Sequence, residues 1–157
     1  MVKRYNYKDL TKLQLNEKAR GIYESEFKSN GFIVNRVKCN YRTISLLVSS
    51  DKGIKHLVHI RSVRGYKYIY FKKKGFPLRP TWLAAIALLF EGQMPQLYLI
   101  PSTKWEKPNS LLKSRDYSEK KSDPEWGINL SKKNMEHLEQ FVFNKMIRGL
   151  CEQGVNS

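Results

Sequence analysis

Cysteine is scarce. The 157 residues hold two, Cys39 and Cys151, far apart and outside any CxxC or Cys/His cluster. That spacing excludes a disulfide framework and a structural zinc site, and it makes a reducing compartment, the cytoplasm, the expected location. Long hydrophobic runs are missing too. The longest covers residues 82–90, far short of a membrane span, and the opening MVKRYNYKDL has no apolar signal core. No membrane partner is expected. There is no glycine-rich phosphate loop and no internal repeat. Acid is the remaining shortage: 14 Asp and Glu face 29 Lys and Arg, a formal charge of +15. Self-repulsion of that size points to a polyanionic partner, nucleic acid. A hydrophobic content of 41% is ordinary for a globular chain, and the length suits one domain with a core.

The pattern that is present reads as mixed α/β. Leu10, Leu13, Ala19, Ile22, Tyr23 and Phe27 recur at helical spacing, and Asn30-Gly31 supplies a left-handed stop. Gly21 inside that helix suggests a close packing contact. Residues 32–37, 43–49 and 55–62 read as strands. In the second, Leu46 and Val48 face away from Ser45 and Leu47; in the third, Val58 and Ile60 oppose His59 and Arg61. Asp51-Lys52-Gly53 and Arg64-Gly65 are turns, and a short strand over 66–71 follows. The short connections make the early strands antiparallel. Residues 82–90 and 96–100 pair as a hairpin. The polar stretch 106–125 reads as a mobile surface loop. Residues 126–130 re-enter the fold, and Ser131 caps one closing helix striped by Met135, Leu138, Phe141, Val142 and Met146. The expectation is a single domain over 1–147 with a frayed tail at 148–157. Its architecture is a central mixed β-sheet flanked by helices.

The segments LNEKARGIYESEFKSNGF, TISLLV, HLVHIRS and LYLIPS follow one another in an order that resembles the PD-(D/E)XK nuclease-like superfamily, in particular its small restriction and Holliday-junction-resolvase members. The likeness runs from about residue 16 to residue 101, with a weaker echo to residue 144. It implies a restriction-endonuclease-like fold. In such proteins the first helix carries a Glu, strand two an Asp, and strand three an acid, one apolar residue and Lys. A later hairpin ends in a Tyr-x-hydrophobic-Pro-Ser phrase. Here Glu17 falls at the helix acid, Ser45 at the Asp, and His59 and Arg61 at the acid and Lys. Tyr98, Pro101 and Ser102 match the hairpin phrase.

Those replacements remove the chemistry. Magnesium takes hard oxygen ligands, mainly carboxylates. Ser45 is a neutral hydroxyl, His59 a poor magnesium ligand, and Arg61 a permanent cation that cannot act as a base. A metal about 4 Å from Arg61 would meet repulsion of roughly 4 kcal/mol per unit charge at an effective dielectric near 20. The resemblance with these losses implies a pseudo-nuclease that grips nucleic acid, DNA foremost, without cutting it and without a cofactor. The expected phosphate contacts are Arg61, Arg64, Lys67, the run Lys72, Lys73 and Lys74 on a basic loop, and Arg79. Tyr66, Tyr68 and Tyr70 alternate with Lys67 and Ile69, an interleave open to base stacking or to packing within the fold. Two alternatives stay open. One is an active magnesium-dependent endonuclease rebuilt on Glu17, Glu24, Glu26 or Asp51. The other is an accessory subunit of a defence or mobile-element system. A homodimer is compatible with either.

Overall fold

The computed structural model describes residues 5–40, 43–117 and 122–152. Helix α1 spans Lys12–Ser29. Thr11 and Gln14 cap each other reciprocally at its start, each side chain accepting from the other's backbone N–H (3.1 and 2.9 Å). It stops at Asn30, and Gly31 takes the φ of 86° that a side chain would resist. Gly21 has open space where a Cβ would go, so it marks no close contact.

Strands β1 (Ile33–Asn40), β2 (Thr43–Ser49) and β3 (Lys55–Val63) form an antiparallel meander. The chain then leaves this sheet. Strand β4 (Tyr68–Lys72) and a 3-10 turn at Lys73–Gly75 carry it over to β5 (Trp82–Leu88), which runs parallel to β3, and β6 (Gln96–Pro101) pairs back on β5 as a hairpin. The sheet order is β1-β2-β3-β5-β6. A parallel neighbour needs a long crossover. Here the crossover contributes a strand in place of a helix.

Strand β4 belongs to a second sheet, order β4-β8-β7, with β7 at Leu112–Arg115 and β8 at Glu125–Asn129. The result is three layers. On one face of the five-stranded sheet, Leu46, Val48, Val58, Ile60, Ala85 and Leu99 pack against Tyr23 and Phe27 of α1 and Phe143 and Ile147 of helix α3 (Phe143–Glu152). On the other face, Val63, Ala84, Ile86, Leu88 and Ile100 pack against Phe71, Trp105, Leu112 and Ile128. The α/β class and the central mixed sheet are as the sequence pattern suggests. The second face is covered chiefly by strands, with helices concentrated on the first.

Three expectations need correction. The stretch 106–125 contains β7, because Leu111 and Leu112 are both 1% exposed and anchor it beneath the polar residues; residues 118–121 lie outside the described residues. The closing helix is two helices, a short α2 (Met135–Leu138) and α3, separated by a 3-10 turn at Glu139–Phe141 and extended Val142 (φ −53°, ψ 134°). Val142 bridges Tyr98 on β6. Phe141 enters the second-sheet core and Phe143 the α1 core, on either side of the bridged Val142. Residues 148–152 continue α3 with Leu150 buried at 6% where a frayed tail was expected; 153–157 lie outside the described residues.

Candidate nucleic-acid interface

Alternation along β2 and β3 sends Ser45, His59 and Arg61 toward the second sheet, away from α1. The β2–β3 ladder runs from Ser49↔Lys55 to Leu46↔Val58, and Ser45 and His59 stand next beyond it. Ser45 Oγ lies 3.1 Å from His59 Nδ1, with Ser45 fully buried and His59 at 6% exposure. The imidazole stacks on Trp82 (5.2 Å between centroids, 18° between planes) and meets Phe76 edge-on at 5.4 Å. Burial, reinforced by the Arg61 charge, pulls its pKa down to about 4, so it is neutral at physiological pH. A hydroxyl beside an imidazole has the composition of a nucleophile and base, but a hydroxyl with no solvent exposure meets no substrate. Arg61 lies 4.5 Å over the Phe71 ring and donates to the Ile60 carbonyl at 3.1 Å. Its pKa is lowered by burial, against a smaller opposite pull from the Tyr70 phenol.

Glu17 is not part of this cluster. It projects from α1, on the other side of the sheet, and ion-pairs with Arg20 and Arg36. Arg36 also grips Glu24 (2.5 Å). The donors gathered at the motif positions are thus a hydroxyl and an imidazole bonded to each other, next to a guanidinium. That set does not fit magnesium. Among the described residues no group of three or more His, Cys, Asp or Glu is placed to hold a metal ion.

The expected phosphate contacts scatter. Arg64 donates to the carbonyls of Tyr7, Lys8 and Leu10 (3.0, 3.1 and 2.7 Å), fastening the segment before α1. Lys72 pairs with Asp123 at 3.2 Å. Lys73 bonds Ser114 (2.7 Å) and Asp116 (3.0 Å) and lies 4.0 Å over the Trp126 ring. Lys72 is therefore a strand residue and Lys73 a brace on β7, so the expected free basic loop reduces to Lys74. Lys67, Lys74 and Arg79 are exposed.

What the fold does assemble is the outer face of the second sheet. Tyr68, Tyr70 and Lys72 of β4, Glu125 and Gly127 of β8, and Lys113 and Arg115 of β7 share it by register. Gly127 is the key to its shape: a Cβ there would overlap the Tyr68 ring, so glycine lets the ring lie flat across the sheet. The Tyr68 hydroxyl donates to the buried Glu125 carboxylate at 2.5 Å, and the Arg115 guanidinium stacks on the ring at 4.2 Å. Tyr70 lies alongside Tyr68 (6.5 Å, 24°) and is 48% exposed; Tyr117, just past β7, is 38% exposed. A hydrogen bond with the Tyr117 phenol, then the Tyr68 ring, raises the Arg115 pKa. Together they line an open cleft of about 590 Å³. Tyr66 stands apart, packed on Phe90 at 5.2 Å.

Of the expected residues, this face takes Tyr68, Tyr70 and Lys72. Lys113, Arg115, Tyr117, Glu125 and Gly127 were not foreseen. The signal for the β7 residues was available: Leu112 and Ser114 alternate with Lys113, Arg115 and Tyr117 at the period of a strand.

No family model, curated protein or solved structure matches this chain. The fold and site define it by class alone: a mixed-sheet α/β protein with an aromatic and cationic sheet face. No helix among the described residues is long and apolar enough to cross a membrane.

Proposed function

We propose that this chain binds nucleic acid through the outer face of its second sheet and does not cut it. The observation that carries the reading is the assembly on one face of exposed tyrosines with Arg115, Lys113 and Lys72, in a chain of net charge +15. Cations neutralise phosphates and aromatic rings take bases, the two components of nucleic-acid affinity. The absence of cleavage rests on Ser45, His59 and Arg61, which supply no carboxylate, with Ser45 closed to solvent and Glu17 engaged on the other side of the sheet by Arg20 and Arg36. On this reading the nuclease likeness is one of architecture, a PD-(D/E)XK-type frame whose metal-binding position has become a packed Ser45–His59 core pair.

Binding is tested by fluorescence anisotropy over a range of salt. Affinity is expected to fall linearly on a log–log plot, by about 0.7 to 0.9 per phosphate neutralised, and Arg115→Ala to remove about one such increment. Failure to bind any DNA or RNA at low salt would end the proposal. Supercoiled plasmid incubated with Mg²⁺ or Mn²⁺ is expected to stay intact; cleavage abolished by Glu17→Ala would favour a working nuclease instead.

A further inference from the structure

We infer that the outer face of the second sheet selects unpaired strands over duplex. The inference rests on the nucleic-acid reading above and names its substrate class. Tyr68 and Tyr70 lie like adjoining tiles, 6.5 Å between centroids and 24° apart in plane. Tyr68 is fixed from below by Gly127, at its hydroxyl by Glu125, and by the Arg115 guanidinium. That makes a rigid platform whose orientation is set before any ligand arrives. Tyr70 and Tyr117 are left with ring area in water, at 48% and 38% exposure. Neither ring fills the core, and Tyr117 hydrogen-bonds the Arg115 guanidinium.

The geometry discriminates. In a duplex the base faces are stacked on one another and the outside is phosphate, so a flat row of rings meets nothing it can stack on. An unpaired strand splays its bases, and every base has a face to offer. The cations complete the match. Arg115 and Lys113 rise from β7 beside the rings, and Lys72 stands on β4 in line with Tyr68 and Tyr70. A base on Tyr70 or Tyr117 would leave its backbone within reach of positive charge, while Tyr68, covered by Gly127 and Arg115, serves as the buttress beside Tyr70. Asp123, paired with Lys72 at 3.2 Å, is the group the strand must displace to use that lysine.

The test compares one labelled oligonucleotide of about a dozen nucleotides, single-stranded and annealed to its complement, at fixed salt with the full chain. Wild type is expected to bind the single strand about tenfold more tightly or better. Tyr70→Ala should lose about tenfold on the single strand and so narrow the gap to the duplex, while Tyr70→Phe, which keeps the ring, should bind as wild type. Tyr70 is half exposed, so circular dichroism of the Ala variant should match wild type. Equal affinity for both forms, or a neutral Tyr70→Ala, overturns this inference and leaves nucleic-acid binding standing. Absence of binding to either form overturns both.

Discussion

His59 is an imidazole held uncharged between Trp82, Phe76 and Phe71, and its proton affinity is the most perturbed of the motif positions. Its folded pKa, about 4, lies below the 6.5 of a free side chain. As pH falls the unfolded chain is protonated first. The His59 contribution to stability is therefore complete above about pH 6.5 and is lost as pH drops toward 4. Between pH 7 and pH 5 the loss from this group is about 2 kcal/mol. Urea unfolding at the two pH values should show it as a fall in midpoint that is reduced in His59→Gln. An identical fall in the variant would mean that the imidazole is protonated inside the fold. The position was readable from sequence as one face of a strand. Its environment was not, because Trp82 comes from β5, a parallel neighbour of β3, and Phe71 and Phe76 come from the crossover that the second sheet holds in place.

At the scale of elements, what the sequence states locally is what can be read from it. α1, the β1–β2–β3 meander and the β5–β6 hairpin each carry their own periodicity and their own turn, such as Gly53 with a φ of 83°. What escapes is decided by partners far along the chain. β7 is a four-residue strand, LKSR, with a single apolar side chain, and it exists because β8 pairs with it and Leu111 and Leu112 reach the core. The break at Val142 exists because β6 offers an edge to bridge. The candidate interface inherits that difficulty: Lys113 and Arg115 stand on β7 and Tyr117 just past it. Leu112→Ala should cost about 3 kcal/mol in the second-sheet core. If β7 is a unit of the interface, single-strand affinity should fall in this variant even where the chain remains folded, because Arg115 and Tyr117 move with the strand. Unchanged affinity alongside the lost stability would show that Arg115 and Tyr117 are not needed in place.

At the scale of the whole molecule the charge sets two opposing dependences on salt. A chain of net charge +15 repels itself when compact. Screening grows as the Debye length shrinks from about 30 Å at 0.01 M to about 3 Å at 1 M, so added salt should stabilise the bare protein. A relief of about 1 to 2 kcal/mol corresponds to a rise in Tm of roughly 2 to 8 °C for a chain of this size. Binding moves the other way. A ligand that binds only the folded state raises Tm in proportion to the logarithm of its concentration over Kd, and for a polyanion that Kd weakens with salt. Melting curves with and without a single-stranded oligonucleotide should therefore converge as salt increases, the bare curve rising while the increment from ligand shrinks. A bare Tm that stays flat across that range would mean that the 15 excess cations are spread widely enough not to repel one another, with pairs such as Lys72–Asp123 and Lys73–Asp116 shielding the rest. The excess charge would then no longer argue for a polyanionic partner. A rising bare Tm with no ligand increment would place the repulsion in the molecule but remove the nucleic acid from its explanation. Only the crossed pair of trends joins the charge and the aromatic face into one function.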